Sequence, residues 1–184
     1  MKSVLISIHP KWCDLIASGN KTIEVRRTRP KIETSFKCYI YETKARSDMP
    51  TFVDEDGHVI YTGRGQVIGE FVCDEIFPIR VFENGTIQDY MFHRMEKSCV
   101  SYEDIANYIG NDRVGYGWHI SDLKIYDKPK ELSEFYRVCD FDKCGNCQHL
   151  CVENTPSSYE TWCEFDEKIP ITRPPQSWCY VEEV

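Results

Sequence analysis

The segment Gly19-Asn20-Lys21-Thr22-Ile23-Glu24-Val25-Arg26-Arg27 constrains this chain more than any other stretch, because of what leads into it. Val4-Leu5-Ile6-Ser7-Ile8 is an apolar run of strand length. Pro10 stands where a first helical residue needs no backbone N–H. Trp12, Leu15 and Ile16 then recur at helical spacing, and Gly19 supplies a left-handed stop. A strand, a short helix and a second strand follow in close order. On that second strand Ile23 and Val25 face one side, and Thr22, Glu24 and Arg26 the other, with Lys21 at its mouth. Charged groups on a strand face are costly to desolvate. The row is therefore expected at the surface or along a wet cleft.

Further along, Phe36-Lys37-Cys38-Tyr39-Ile40-Tyr41 alternates as a strand. Residues 44–66 are polar and turn-rich, and Asp56-Gly57 between two short apolar pairs predicts a hairpin flap. Val67–Cys73 reads as another strand. Ser101 before Ile105, Tyr108 and Ile109 marks a capped helix closed by Gly110. Trp118 to Tyr126 reads as one strand, and Pro129 as the start of a short helix carrying Leu132 and Phe135. Strands outnumber helices without a regular βαβ alternation. The expected class is α+β, a mixed β-barrel with flanking short helices.

No run of the sequence approaches a membrane span, and no basic segment followed by an apolar stretch opens it, so the expectation is a cytoplasmic protein without a membrane partner. The net charge of −8 argues against a general polyanion binder. The charge is unevenly placed, however. Residues 1–46 carry ten Lys and Arg against four Asp and Glu, a net +6, which leaves −14 for the rest. A basic face on an acidic body can hold a nucleic acid locally.

The pattern strand, helix, G-x-K-T-x-E-x-R-R resembles the start of an ASCH domain, in the PUA-like superfamily. Val67-Ile68-Gly69-Glu70-Phe71-Val72-Cys73 resembles its central strand; Gly115-Tyr116-Gly117-Trp118-His119-Ile120 and Ser177-Trp178-Cys179-Tyr180-Val181 resemble later ones. The resemblance implies a small closed barrel with a cleft beside the first helix, and work on RNA or nucleosides. Some ASCH proteins are amidohydrolases acting on N4-acylated cytidines through a Lys, a Thr and a Glu. Lys21 matches that lysine. Glu24 stands at the threonine's position, and Glu70 is a weak match for the carboxylate. Others resemble ribonucleases, for which Lys21 with Glu24 or His119 would have to serve.

Ten cysteines are unevenly spread. Cys13, Cys38, Cys73 and Cys179 sit among apolar residues as small hydrophobes. Five others fall between Cys139 and Cys163, within an expected insertion over 139–172 that separates the main unit, 1–138, from a final strand at 173–184. Cys144-Gly145-Asn146-Cys147 has the knuckle form that converges two thiolates on a structural zinc ion. Cys163 and Cys139 complete the expected set, with Cys151 or His149 as substitutes. A zinc ion would supply folding free energy that so small a segment lacks. The spacing matches no common iron–sulfur pattern.

The candidate ligand-binding set is His9, Lys11, Lys21, Thr22, Glu24, Arg26, Arg27, Tyr41 and Trp118. Arg26 offers a planar fork for a phosphate or base edge. Glu24 can accept from an exocyclic amine. Lys21 can neutralise a phosphate or, with Glu24, act catalytically. His9 and Lys11 flank a helix start that favours anions. Tyr41 and Trp118 are candidate stacking platforms. The leading expectation is a module binding RNA or a modified nucleotide; a hydrolase and a protein-interaction module are the alternatives.

Overall fold

β1 (Lys2–Ile8) is buried from Ser3 onward, as a continuous apolar run demands, and it lies at the middle of the larger sheet. A computed structural model describes residues 2–44, 52–53, 59–60, 63–88, 92–138 and 169–184. α1 (Pro10–Ala17) starts at the proline and ends before Gly19, whose φ of 74° is the left-handed stop expected there. β2 (Ile23–Arg26) and β3 (Phe36–Glu42) follow, and β3 returns parallel to β1. β4 (Phe52–Val53) and β5 (Val59–Ile60) pair antiparallel, as the flap expectation required; the Asp56-Gly57 turn itself lies outside the described residues.

β6 (Val67–Cys73), β7 (Ile76–Val81), α2 (Phe92–Glu96), α3 (Tyr102–Ile109), β8 (Arg113–His119) and β9 (Ser121–Lys130) complete the central chain. β10 (Tyr136–Arg137), β11 (Ile169–Pro170) and β12 (Trp178–Glu182) close it. The larger sheet has the order β11-β10-β12-β1-β3-β6-β9, and a second sheet the order β2-β8-β7. The described strands thus form these two sheets and the separate β4–β5 pair in an α+β fold, and among the described residues no ladder joins the sheets to one another.

Side-chain parity explains the layering. Val4, Ile6 and Ile8 point from β1 into a core shared with Cys13 and Ile16 of α1 and Trp118 of β8. Leu5 points the other way, to Tyr39, Phe135, Ile171 and Val181. Ile23 and Val25 of β2 face a third core with Ile79, Met95, Ile105 and Ile109, which covers the second sheet with α2 and α3. β2 is thus sandwiched.

Two local readings change. The strand expected from Trp118 to Tyr126 breaks at Ile120, whose N–H bonds to the Thr22 carbonyl as the chain passes from the second sheet to the first. Pro129 stays within β9, an outer strand where a missing N–H is tolerated, and only a single 3-10 turn, Leu132–Glu134, follows. The capped helix is present as α3: the Asp104 N–H donates to Ser101 Oγ at 3.1 Å. Ser101→Ala is expected to lower the unfolding free energy by about 1 kcal/mol, read from the urea midpoint; an unchanged midpoint would mean the cap is dispensable.

Candidate functional site

Alternation on β2 turns Glu24 and Arg26 away from α3 and toward β1, where the Arg26 Nη2 donates to the Ser7 carbonyl at 2.6 Å. Its Nη1 reaches Ser177 Oγ at 3.5 Å, and its Nε lies 3.1 Å from Glu24 Oε1. Glu24 Oε2 is 3.3 Å from Lys21 Nζ. Lys21 also donates to the carbonyls of Ile23, at 2.9 Å, and of Ser98, at 2.6 Å. The charged row is a linear Lys21–Glu24–Arg26 chain of ion pairs.

The row is far drier than its residue types suggest. Lys21 is 2% exposed, Glu24 6% and Arg26 7%. Of the two places expected for the row, the surface is therefore excluded: α3 covers one face of β2, and β1 with α1 closes over the other. Burial of charge is tolerated because each charge meets an opposite one or several carbonyls. The pairing is nevertheless incomplete. Glu24 Oε2 and Arg26 Nε make ion-pair contacts but no aligned hydrogen bond among the described residues. Two cations on one carboxylate also leave a surplus positive charge.

The trio forms part of the wall of a cleft of 880 Å³. The β1–α1 junction contributes Ser7, His9 and Trp12, α3 contributes Asp104 and Tyr108, and Thr43, Lys44 and the 174–176 segment complete the rim. His9 Nδ1 lies 3.4 Å from Thr43 Oγ1. Trp12 and Tyr108 are the aromatic rings on this cleft. The Lys21 ammonium sits 5.2 Å from the Trp12 ring centre, and the Arg27 guanidinium 4.7 Å from that of Tyr108.

Of the sequence candidates, His9, Lys21, Glu24 and Arg26 come together on the cleft. Lys11 is exposed, with its ammonium over Trp12 at 4.7 Å from the ring centre. Thr22 is half-buried and its backbone is used in bonds to Lys97 and Ile120. Arg27 is exposed and donates from Nε to the Tyr108 carbonyl. Tyr41 is buried in the core of the larger sheet and borders a neighbouring pocket with Leu132 and Pro174. Trp118 is wholly buried against Phe36 and Trp178, so its ring is a core element and not a platform. Sequence reasoning missed Trp12 and Tyr108 as cleft rings because both fit the apolar spacing of their helices.

His119 pairs with Asp74 instead, Nδ1 to Oδ1 at 2.7 Å. Glu70 accepts from the Tyr126 hydroxyl and faces Lys37 at 3.9 Å, in a separate cluster. Neither joins the cleft wall. Thiolate chemistry finds no support in the core cysteines: burial pushes Cys13 and Cys38 well above the ordinary thiol range, Cys73 to about 12 and Cys179 to about 11.

The expected zinc ligands Cys139, Cys144, Cys147 and Cys163, and the substitutes Cys151 and His149, lie outside the described residues. Among the described residues, no group of three or more His, Cys, Asp or Glu could hold a metal ion. The chain leaves from β10 and is back at β11 beside it, with Arg137 opposite Ile169, so the two ends of the cysteine-rich segment are adjacent. No described helix is long and apolar enough to cross a membrane.

A mixed α+β fold with a buried ion-paired row beside its first helix defines the class. The ASCH domain family model matches residues 6–183, and the chain belongs to that family. Among solved structures it is similar to ASCH from Zymomonas mobilis, at 18% identity and a TM-score of 0.57, over 98% of this chain and 88% of that one. A Ser-to-Ala variant of that protein matches at 18% identity and a TM-score of 0.56, over 98% and 89%. A Tyr-to-Phe variant matches at 21% and 0.51, over 72% and 77%. These likenesses concern the fold. No curated protein matches the chain.

Proposed function

We propose that the cleft beside α1 binds RNA or a modified nucleotide, with Arg26 as the group that reads it. The observation that carries this is the buried Lys21–Glu24–Arg26 trio, which has a surplus positive charge and an incomplete set of hydrogen bonds on the wall of an 880 Å³ cleft. A phosphate or a base edge would balance the surplus charge, since guanidinium donors match planar acceptors two at a time. Trp12 and Tyr108 offer faces on which a base can stack, which suits an unpaired strand more than a duplex. Family membership agrees with this reading.

A hydrolytic role for Lys21 is the weaker reading. Its ammonium already donates to two carbonyls and is ion-paired with a carboxylate at 3.3 Å. An attacking amine would have to give up a proton and at least one of those contacts. Glu24 is likewise engaged on both oxygens. This geometry favours holding over chemistry.

The test is anisotropy titration of short single-stranded RNAs against the wild type and Arg26→Lys, which keeps the charge but removes the fork. Loss of a charge-assisted hydrogen bond of about 1.5–3 kcal/mol predicts an affinity at least roughly tenfold weaker. Thermal melts must show both proteins folded. Equal affinities would take the cleft out of the reading.

A further inference from the structure

We infer that a second subsite, built from Arg29, Lys31 and Tyr116 behind the cleft wall, holds the phosphate backbone of a single RNA strand whose other end lies in the cleft. This rests on the nucleotide-binding reading above and specifies the substrate as a strand of several nucleotides, not a free nucleoside. Arg27, Thr28, Arg29, Pro30, Lys31, Val114 and Tyr116 line a separate concavity of 470 Å³. Three of these are cations and none is acidic. In a chain of net charge −8, so one-sided a lining is the local exception. A protein that repels polyanions over most of its surface can still hold one along such a strip.

The subsite is physically joined to the cleft. Tyr108 stands on the cleft wall, and the Arg27 guanidinium lies over its ring at 4.7 Å while Arg27 itself lines the second concavity. The strand that carries Arg26 into the cleft therefore carries the next residues, 27–31, out along the basic strip. Tyr116 sits opposite Arg26 in the β2–β8 ladder and is half-buried, with the Arg29 guanidinium 6.0 Å from its ring centre. Cations beside a fixed aromatic face are the combination that holds unpaired strands, the charges tracking phosphates and the ring accepting a base. A duplex would satisfy the charges but offer the ring no base.

The experiment uses fluorescein-labelled trinucleotide and octanucleotide RNAs, an RNA duplex of eight base pairs, and three full-length proteins: wild type, Arg26→Lys, and the double variant Arg29→Ala with Lys31→Ala. Arg29 and Lys31 are exposed, and the Lys31 bond to Tyr180 uses the backbone N–H, so the double variant keeps that bond. Expected is an unchanged trinucleotide affinity in the double variant, an octanucleotide affinity about tenfold weaker, and a salt slope shallower by roughly 1.4, at about 0.7 per phosphate contact on a single strand. Arg26→Lys should weaken both single-stranded probes. An octanucleotide affinity and slope unchanged in the double variant would overturn the subsite while leaving the cleft standing. Duplex binding as tight as the octanucleotide, with the same dependence on Arg29 and Lys31, would overturn it too, as a general polyanion patch. Indifference of all probes to Arg26→Lys would overturn the cleft itself, and the strand path with it.

Discussion

Lys21→Met is expected to lower the unfolding free energy by about 3–5 kcal/mol, the range for removing one partner of a buried ion pair. The lysine is 2% exposed, and its ammonium ties β2 to the turn after α2. It bonds to the Ile23 carbonyl on β2, to the Ser98 carbonyl in the turn after α2, and pairs with Glu24. Methionine fills a similar volume, so the cavity contribution is small and the polar loss dominates. Two carbonyls lose a donor in a dry site, and Glu24 is left to Arg26 alone. At roughly 2–4 °C per kcal/mol for a chain of this size, the melting midpoint should fall by about 10 °C. Urea unfolding followed by fluorescence gives the free energy directly. A loss under about 1 kcal/mol would mean that the amine is not a structural clamp. A catalytic or ligand-facing role would then regain ground, because nothing else would account for an ammonium held so deep.

What the sequence revealed follows from how local each signal is. Residues 2–26 were legible because Pro10, Gly19 and the apolar spacing of Trp12, Leu15 and Ile16 act within one turn or strand of themselves. α3 was legible for the same reason, from Ser101 to Gly110. The burial of Glu24 and Arg26 was not, because it depends on β1 closing over that face of β2 and on Ser177, about 150 residues later, reaching Arg26. β7 went unread although Phe77, Ile79 and Val81 alternate inward; Pro78 is tolerated there because β7 is an outer strand. The break at Ile120 has neither glycine nor proline to announce it. It arises from a tertiary hydrogen bond to Thr22. Trp12 and Tyr108 were misjudged because helical spacing does not distinguish a ring in the core from a ring on a cleft wall.

Trp118 is the residue on which core and site readings give the most divergent expectations. Its ring is 0% exposed, at 6.0 Å from both Phe36 and Trp178, and its Nε1 has no hydrogen-bond partner among the described residues. Trp118→Ala should cost about 3–5 kcal/mol, as large core truncations do. Trp118→Phe should cost much less, because it retains a ring against Phe36 and removes an N–H whose burial is uncompensated. Alanine alone would not separate the readings. Trp118 faces Glu24 across the β2–β8 ladder, so a collapse at 118 would disturb the charged row and weaken binding indirectly. Phenylalanine does separate them. A Trp118→Phe protein that melts near the wild type should bind RNA with unchanged affinity, and its emission should have lost a component shielded from acrylamide. Weaker binding in a Trp118→Phe protein of normal stability would place the indole against the ligand and require the cleft to open at that ring.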